Sequence, residues 1–251
     1  MRVIYHKKYT GVYAYDPAAE PGRMEGICRA LEGVFEFEEP AVAADADIKL
    51  CHTNGHIQYV KQHNPSAYNM GILAVGGAIK AAELAHDGEP TFGLIRPPGH
   101  HASPNSCWGF CYFNNMAISI KKLLSEGKIE RAVVLDIDLH YGDGTANIFK
   151  GSPEVSYFHP EGYSREEFMK TLSRDLEKAG GYDIIAISAG FDRHENDWGG
   201  MLKTEDYRRI GELVKTHSLQ NCNGRRYGLL EGGYNHDVLG ENVRALLEGL
   251  K

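Results

Sequence analysis

The stretch "RAVVLDIDLHYGDG", Arg131 to Gly144, constrains this chain more than any other. Ala132, Val133, Val134, Leu135 and Ile137 read as a strand for the middle of a sheet, where both faces are covered. Yet Asp136, Asp138 and His140 follow at alternate positions, and a strand turns alternate side chains to one face. Unpaired buried charge is costly, so two carboxylates and an imidazole pointing one way need solvent or a cation to hold them.

The rest of the chain supplies the alternation that such a strand requires. Short apolar runs at 3–5, 48–51, 92–95, 132–138, 154–158, 184–188 and 227–230 predict strands. Between them, 69–86, 115–125, 165–179, 205–217 and 238–250 predict helices. The expected class is α/β: a mostly parallel central sheet with helices on both faces. No repeat or Pro/Gly/Ser-rich linker marks a boundary, so residues 1–251 are expected to form a single domain. In such sheets sites form beyond the C-terminal ends of the strands. His52, Asp138, Asp192 and Glu231 stand at or just past such ends, so the site is assembled from distant loops.

Composition narrows the class of function. With 42% hydrophobic and 24% charged residues the chain is an ordinary globular protein. Its first residues, "MRVIYHKKYTGVYAYD", have no apolar core of a signal peptide, and no run approaches the ~18 residues of a membrane span. Five cysteines without Cys-x-x-Cys spacing read as reduced thiols in a cytoplasm. A net charge of -7 argues against nonspecific nucleic-acid binding and for cationic substrates. The expectation is a cytoplasmic protein acting on a small molecule, with neither nucleic acid nor membrane as partner; oligomeric state is left open.

Three constellations carry chemistry. Asp138 and His140 are a plausible ligand pair, and "SAGFD" (Ser188 to Asp192) offers a third oxygen after another buried strand. Two carboxylates and one imidazole leave a position open on tetrahedral zinc, as hydrolysis requires. An isolated D-x-H more often caps a helix or pairs with arginine, but the row of three and the Gly-rich exit favour a metal. Next, "RPPGHH" presents His100 and His101 on a rigid turn suited to proton transfer. Asp136 and Asp143 remain after the metal takes its ligands, and each could orient one histidine. Lastly, "LLEGGYNHD" places Tyr234 behind two glycines on a loop after a strand, able to reach a cleft.

Together "RPPGHH", "GFCYFNN", "LDIDLHYGDG", "SAGFD" and "LEGGYN" resemble, in order, the histone deacetylase family, including the acetylpolyamine amidohydrolases, in the arginase–deacetylase superfamily. The resemblance implies zinc, with iron(II) as an alternative, at Asp138, His140 and Asp192. It implies His100–Asp136 and His101–Asp143 pairs, with His101 as general base and acid, and Tyr234 as the group polarising the acyl carbonyl. The Gly109 carbonyl would hold the substrate amide, Phe110 would wall an acyl tunnel, and Arg23 would lie near an acetate exit. Structural potassium is implied too, one ion using Asp136 with backbone near Asp138 and His140, a second near Phe149, Ser152 and Val155. The implied activity is hydrolysis of an acetyl or short acyl group from acetyl-lysine, an acetylpolyamine or a smaller acylated amine.

Departures bear on substrate. Where the family carries a long segment with a second aromatic wall, "HPEGYSREEF" runs almost directly into a helix, and the loop after 57–63 is short. Trp198 falls near the rim, where some polyamine-specific members carry a gatekeeper glutamate for which Glu195 is the nearest candidate, and Tyr157 stands where a potassium-binding serine is usual, unless Ser156 substitutes. One rival is an arginase-like binuclear-manganese ureohydrolase, against which the His-His pair and Tyr234 speak. The other is a non-catalytic acyl-amine binder, expected only if a ligand or the tyrosine were missing.

Overall fold

The computed structural model describes all 251 residues. Seven strands, β1 (Arg2–Ile4), β2 (Glu36–Glu38), β3 (Thr91–Gly93), β4 (Ala132–Asp136), β5 (Val155–Phe158), β6 (Ile184–Ala189) and β7 (Arg226–Leu230), form one sheet in the order β2-β1-β3-β7-β6-β4-β5. Every pairing is parallel. Nine α-helices connect them: α1 (Arg23–Leu31), α2 (Asp45–Ile48), α3 (Asn54–His63), α4 (Pro65–His86), α5 (Asn115–Ser125), α6 (Asp143–Ile148), α7 (Arg165–Lys178), α8 (Thr204–Asn221) and α9 (His236–Leu250). No helix is long and apolar enough to cross a membrane.

Two neighbours on β7 show how both faces are covered. Adjacent strand residues point to opposite faces. Arg226 donates from Nε to the Leu250 carbonyl of α9 and from Nη1 to Ser218 of α8. Tyr227 meets Ser119 of α5 through its hydroxyl at 2.8 Å. All five residues of β4, all six of β6 and all five of β7 are buried, which explains their unbroken apolar reading.

The chain passes from β3 on one side of the β7–β6 pair to β4 on the other. A crevice opens at such a switch, beyond the carboxyl ends of the strands. The loops leaving β3, β7, β6 and β4 therefore meet there, and they carry His100 and His101, Tyr234, Asp192, and Asp138 with His140.

Some expectations need correction. The run at 48–51 is not a strand: Ile48 ends the short helix α2, where the Asp47 carboxylate accepts from the Ala44 N–H at 3.0 Å. Four residues are too few for periodicity to separate strand from helix. His52 accordingly follows a turn, and its ring bonds the Ser103 carbonyl and the Asn114 N–H. The β4 strand stops at Asp136, so Asp138 and His140 lie on irregular backbone rather than on one strand face. The helix expected from 69 begins at Pro65, a residue preorganised for the first turn. Strand β2 escaped notice because "EFE" is an exposed edge with no buried face.

Helices α8 and α9 touch backbone to backbone, and α9 begins two residues after Tyr234. A Cβ on Gly211 would lie 2.8 Å from Leu250 N and 2.9 Å from Gly249 C. Overpacking such a contact costs roughly 1–3 kcal/mol. Gly211→Val is expected to lose about that much in urea unfolding, and an unchanged midpoint would show that the helices can part freely.

Candidate metal and catalytic site

Asp136, Asp138 and Asp192 are almost completely buried, and each is fixed by backbone N–H donors. Asp136 Oδ1 accepts from Asp138 N (3.1 Å), Asp138 Oδ1 from His140 N (2.9 Å), Asp138 Oδ2 from Gly232 N (2.8 Å) and Asp192 Oδ1 from Leu139 N (2.9 Å). His140 Nδ1 lies 3.3 Å from Asp138 Oδ1 and 3.0 Å from Asp192 Oδ2. The last contact lacks hydrogen-bond geometry, since Asp192 Oδ2 is buried without a partner. One ligand atom from each of the three residues fits within a 4.8 Å span.

The electrostatics call for a cation at this point. The adjacent Asp138 and then Asp192 carboxylates push the His140 imidazole up to about 10, so in the absence of metal a proton is held there. Burial, followed by the Asp138 charge, raises Asp192 to about 6. A divalent ion would replace that proton and take up the orphaned Asp192 oxygen. Two carboxylates and one imidazole fit zinc with a coordination position left open. Close approach is allowed by glycine: a Cβ at Gly232 would sit 2.6 Å from Asp138 Oδ2 and 3.0 Å from Asp192 Cγ, and one at Gly190 would collide with the Asp138 carboxylate.

The histidine pair lies beside the triad. His100 Nδ1 meets Asp136 Oδ2 at 3.1 Å, and His101 Nδ1 meets Asp143 Oδ1 at 2.6 Å, the two rings being 4.0 Å apart. The turn carrying them is pinned by the buried Glu231 carboxylate, which accepts from Gly99 N (2.7 Å) and His100 N (3.3 Å). Burial disfavours a charged His100, but the charges of Asp138 and Asp136 and the bond to Asp136 outweigh it and hold the ring well above its usual range. For His101, burial and the neighbouring His100 lower the pKa, with Asp143 acting in the opposite direction.

Tyr234 faces the same cleft. Its backbone N–H and that of Asn235 both donate to Asp197 Oδ2 at 2.8 Å, which fixes the loop. Burial, then the Asp138 charge, keeps its phenol protonated far above neutral pH. Arg23 lies behind this loop, fully buried, donating to the Gly233 carbonyl (2.9 Å) and the Glu231 carbonyl (2.6 Å), with its guanidinium 5.6 Å from the Tyr234 ring. Phe110 stands edge-on to Tyr234 at 5.9 Å. Gly109 and Phe110 both have positive φ, 57° and 66°, and for Phe110 that is a strained conformation held by its surroundings. The Gly109 carbonyl accepts a 3.4 Å contact from Cys111 Sγ.

Sequence reasoning missed several partners. Trp108 lies over His101 with ring centroids 3.9 Å apart and donates from Nε1 to Asp143 at 3.0 Å. Trp198, placed only near the rim, stacks on Tyr234 at 4.1 Å, while Glu195 is an exposed loop charge. Neither the Asp197 contacts nor those of the tryptophans carry a local signal, because most join segments far apart in the chain and Trp108 reaches His101 across an irregular loop. Phe149 and Ser152 form a turn, Ser152 N donating to the Phe149 carbonyl at 2.9 Å, and Val155 begins β5.

Comparison with known proteins places this geometry in context. The model of the histone deacetylase domain matches residues 18–168 and 158–250. A probable deacetylase of Archaeoglobus fulgidus is 30% identical over 92% of this chain and 80% of that protein. One from Methanothermobacter thermautotrophicus is 29% identical over 99% of this chain and 90% of that protein. Among solved structures, the acetylpolyamine aminohydrolase from Burkholderia pseudomallei matches with a TM-score of 0.86, covering 99% of this chain and 98% of that one. Its identity of 21% makes this a likeness of fold.

Chelator-stripped protein is expected to take up one divalent transition metal per chain, with a rise in Tm. Gly190→Ala, which keeps all three ligands but crowds Asp138, should weaken that affinity about 10–100-fold, as disturbed outer contacts of a metal site do. Full metal retention by an Asp138→Ala/Asp192→Ala double variant in elemental analysis would overturn the ligand assignment.

Proposed function

Starting from the fact that this chain belongs to the histone deacetylase family, we propose that it is a deacetylase that removes acetyl or other short acyl groups from N-acylated amines with one zinc ion. The observation that carries the reading is the pair of Asp–His contacts beside an Asp–His–Asp triad, with the half-buried Tyr234 in the same cleft. Asp138, His140 and Asp192 would hold the metal. When bound, zinc would supply a Lewis acid for the acyl carbonyl and lower the pKa of a water to about 7.

The chain's own groups divide the remaining work. His101 gives its Nδ1 proton to the bond with Asp143, which leaves Nε2 free to take a proton from the attacking water and pass it to the leaving amine. Its lowered pKa keeps it in the neutral form that this step needs. His100, held charged between Asp136 and Asp138, favours the developing negative charge beside it. Tyr234 would donate its hydroxyl to the carbonyl oxygen as charge develops there, an effect worth roughly 3–4 kcal/mol for one well-placed donor. The Gly109 carbonyl would accept from the scissile amide, Phe110 would flank the acyl chain, and Arg23 would act from behind the tyrosine loop.

The rim speaks to substrate class. Trp108 and Trp198 are 56% and 53% exposed, and their faces offer cation–π contacts to an alkylammonium chain. Beyond β5, where the resembling family has a longer segment, an open groove of about 700 Å³ is lined by Tyr141, His159, Glu161, Tyr163 and Glu167 among others. Recognition then rests on the acyl-amide end and on charge, which favours small cationic acetylated amines.

His101→Ala and Tyr234→Phe are expected to keep the metal while kcat falls by about 10²–10⁴-fold. The acid limb of kcat/KM should lie below the ordinary imidazole range, because burial and the neighbouring His100 lower the His101 pKa. Asp143→Asn should move it lower still, because the Asp143 charge favours the protonated ring. Near wild-type rates in both His101→Ala and Tyr234→Phe would remove these roles.

Selectivity is tested by comparing kcat/KM for acetylputrescine, acetylspermidine, free acetyl-lysine and a set of acetyl-lysine peptides. Activity on several small amines is expected, with little preference among the peptides. A bias beyond about a thousandfold toward one compound, ~4 kcal/mol in transition-state binding, is incompatible with an open site.

A further inference from the structure

Arg193 follows Asp192 directly, yet its side chain turns away from the cleft and fills the space between the exits of β4 and β5. It is 5% exposed. Nε donates to the Asp138 backbone carbonyl at 3.0 Å, and Nη2 to His159 Nε2 at 3.1 Å and the Pro160 carbonyl at 3.4 Å. The guanidinium lies 4.9 Å from the centre of the Phe168 ring. No carboxylate lies within 4.0 Å of it, so it forms no ion pair. Its charge acts at longer range, on Asp138, Asp192 and Asp136.

The neighbouring strand adds a second donor. Tyr157 donates its hydroxyl to Asp136 Oδ2 at 2.9 Å and accepts from Gly142 N at 3.0 Å. The Asp136 carboxylate and the backbone at Asp138 are where the family resemblance places a potassium ion. In this chain both groups are engaged by protein donors, a phenol and a guanidinium. An ion there would have to displace two hydrogen bonds from buried groups and sit against a resident positive charge. The residues present do not fit it.

We propose that Arg193, with Tyr157, takes the place of a structural monovalent cation, as a built-in positive charge that holds the Asp138 backbone in register behind the metal triad. The guanidinium adds positive potential beside three buried carboxylates and clamps the Asp138 carbonyl without occupying a carboxylate oxygen that the metal needs. Arg193 is thus a positioning residue, and the space beside Asp136 and Asp138 takes up no monovalent ion. The substrate plays no part in this inference.

The test compares Tm in potassium, sodium and choline chloride at equal ionic strength, on metal-free and metal-loaded protein, together with metal affinity by chelator competition. Equal metal affinity in all three salts is expected, and any potassium-specific rise in Tm, as from an ion near Phe149 and Ser152, should survive Asp136→Asn. A potassium-specific gain in either quantity that Asp136→Asn removes overturns the proposal, and the metal-free arm reads this even if the triad assignment fails. Arg193→Met, similar in length but uncharged, should lose metal affinity about 10–100-fold, whereas exposed Arg209→Met should not. Wild-type affinity in Arg193→Met also overturns it. Should that variant not fold, Arg193→Ala/Tyr157→Ser, which opens the space, is expected to gain a potassium-specific rise in Tm, and the salt comparison with Asp136→Asn decides on its own.

Discussion

Three carboxylates buried at adjacent strand exits are the constraint around which the rest of this molecule is arranged. Removing an ionised carboxylate from water costs several kcal/mol even after relaxation. Asp136, Asp138 and Asp192 meet that cost by dividing their oxygens between two tasks. Each gives at least one oxygen to a backbone N–H, which only loops folded tightly over the strand ends can provide. What remains faces His100, Tyr157 or the point at which the triad converges. Glycines at 190 and 232 follow from the same demand, since a methyl group at either position would occupy the carboxylates' space.

The buried arginines obey a related logic. Arg23, Arg96 and Arg193 are all nearly inaccessible, and their hydrogen bonds to the main chain go to carbonyl oxygens. A guanidinium paired directly with Asp138 or Asp192 would neutralise the charge but block the ligand atoms. Placed on carbonyls, it clamps the loop that carries a carboxylate, or a tyrosine, and still contributes positive potential. Buried ion pairs are weak evidence for stability; here the avoidance of direct pairing is what preserves the site.

Much of this was legible in the residues. The apolar runs of β4, β6 and β7 are continuous because both faces are covered, and they located the exits where the site forms. Asp136, Asp138, His140 and Asp192 were visible as polar residues where burial forbids unpartnered ones. The reason first given for their convergence was incomplete, since β4 ends at Asp136 and the following loop, not strand alternation, aims the next two groups. The run at 48–51 misled because burial alone does not fix a period. Trp108, Asp197 and Arg193 could not be read at all. An indole on an imidazole, a carboxylate under two amides and a guanidinium on a carbonyl are tertiary contacts with no spacing to betray them.

The aromatic rim shows how closely access and reactivity are tied in this architecture. Trp108 stacks on His101 and Trp198 on Tyr234, so each exposed tryptophan covers one of the two groups assigned to proton transfer and carbonyl polarisation. Such stacks contribute roughly 0.5–1.5 kcal/mol beyond burial, enough to favour one ring orientation several-fold or more. Trp108 also donates to Asp143, and the loop bearing Trp198 carries Asp197, which holds the tyrosine backbone. A change at either tryptophan therefore alters the geometry of the chemistry together with the mouth of the cleft. Substrate preference is freer to vary in the outer part of the groove beyond β5, at Glu161 and Tyr163, which hold no reactive group. The interior is fixed by buried charge, the rim is coupled to catalysis, and that outer groove is left as the surface on which selectivity for the amine can change independently.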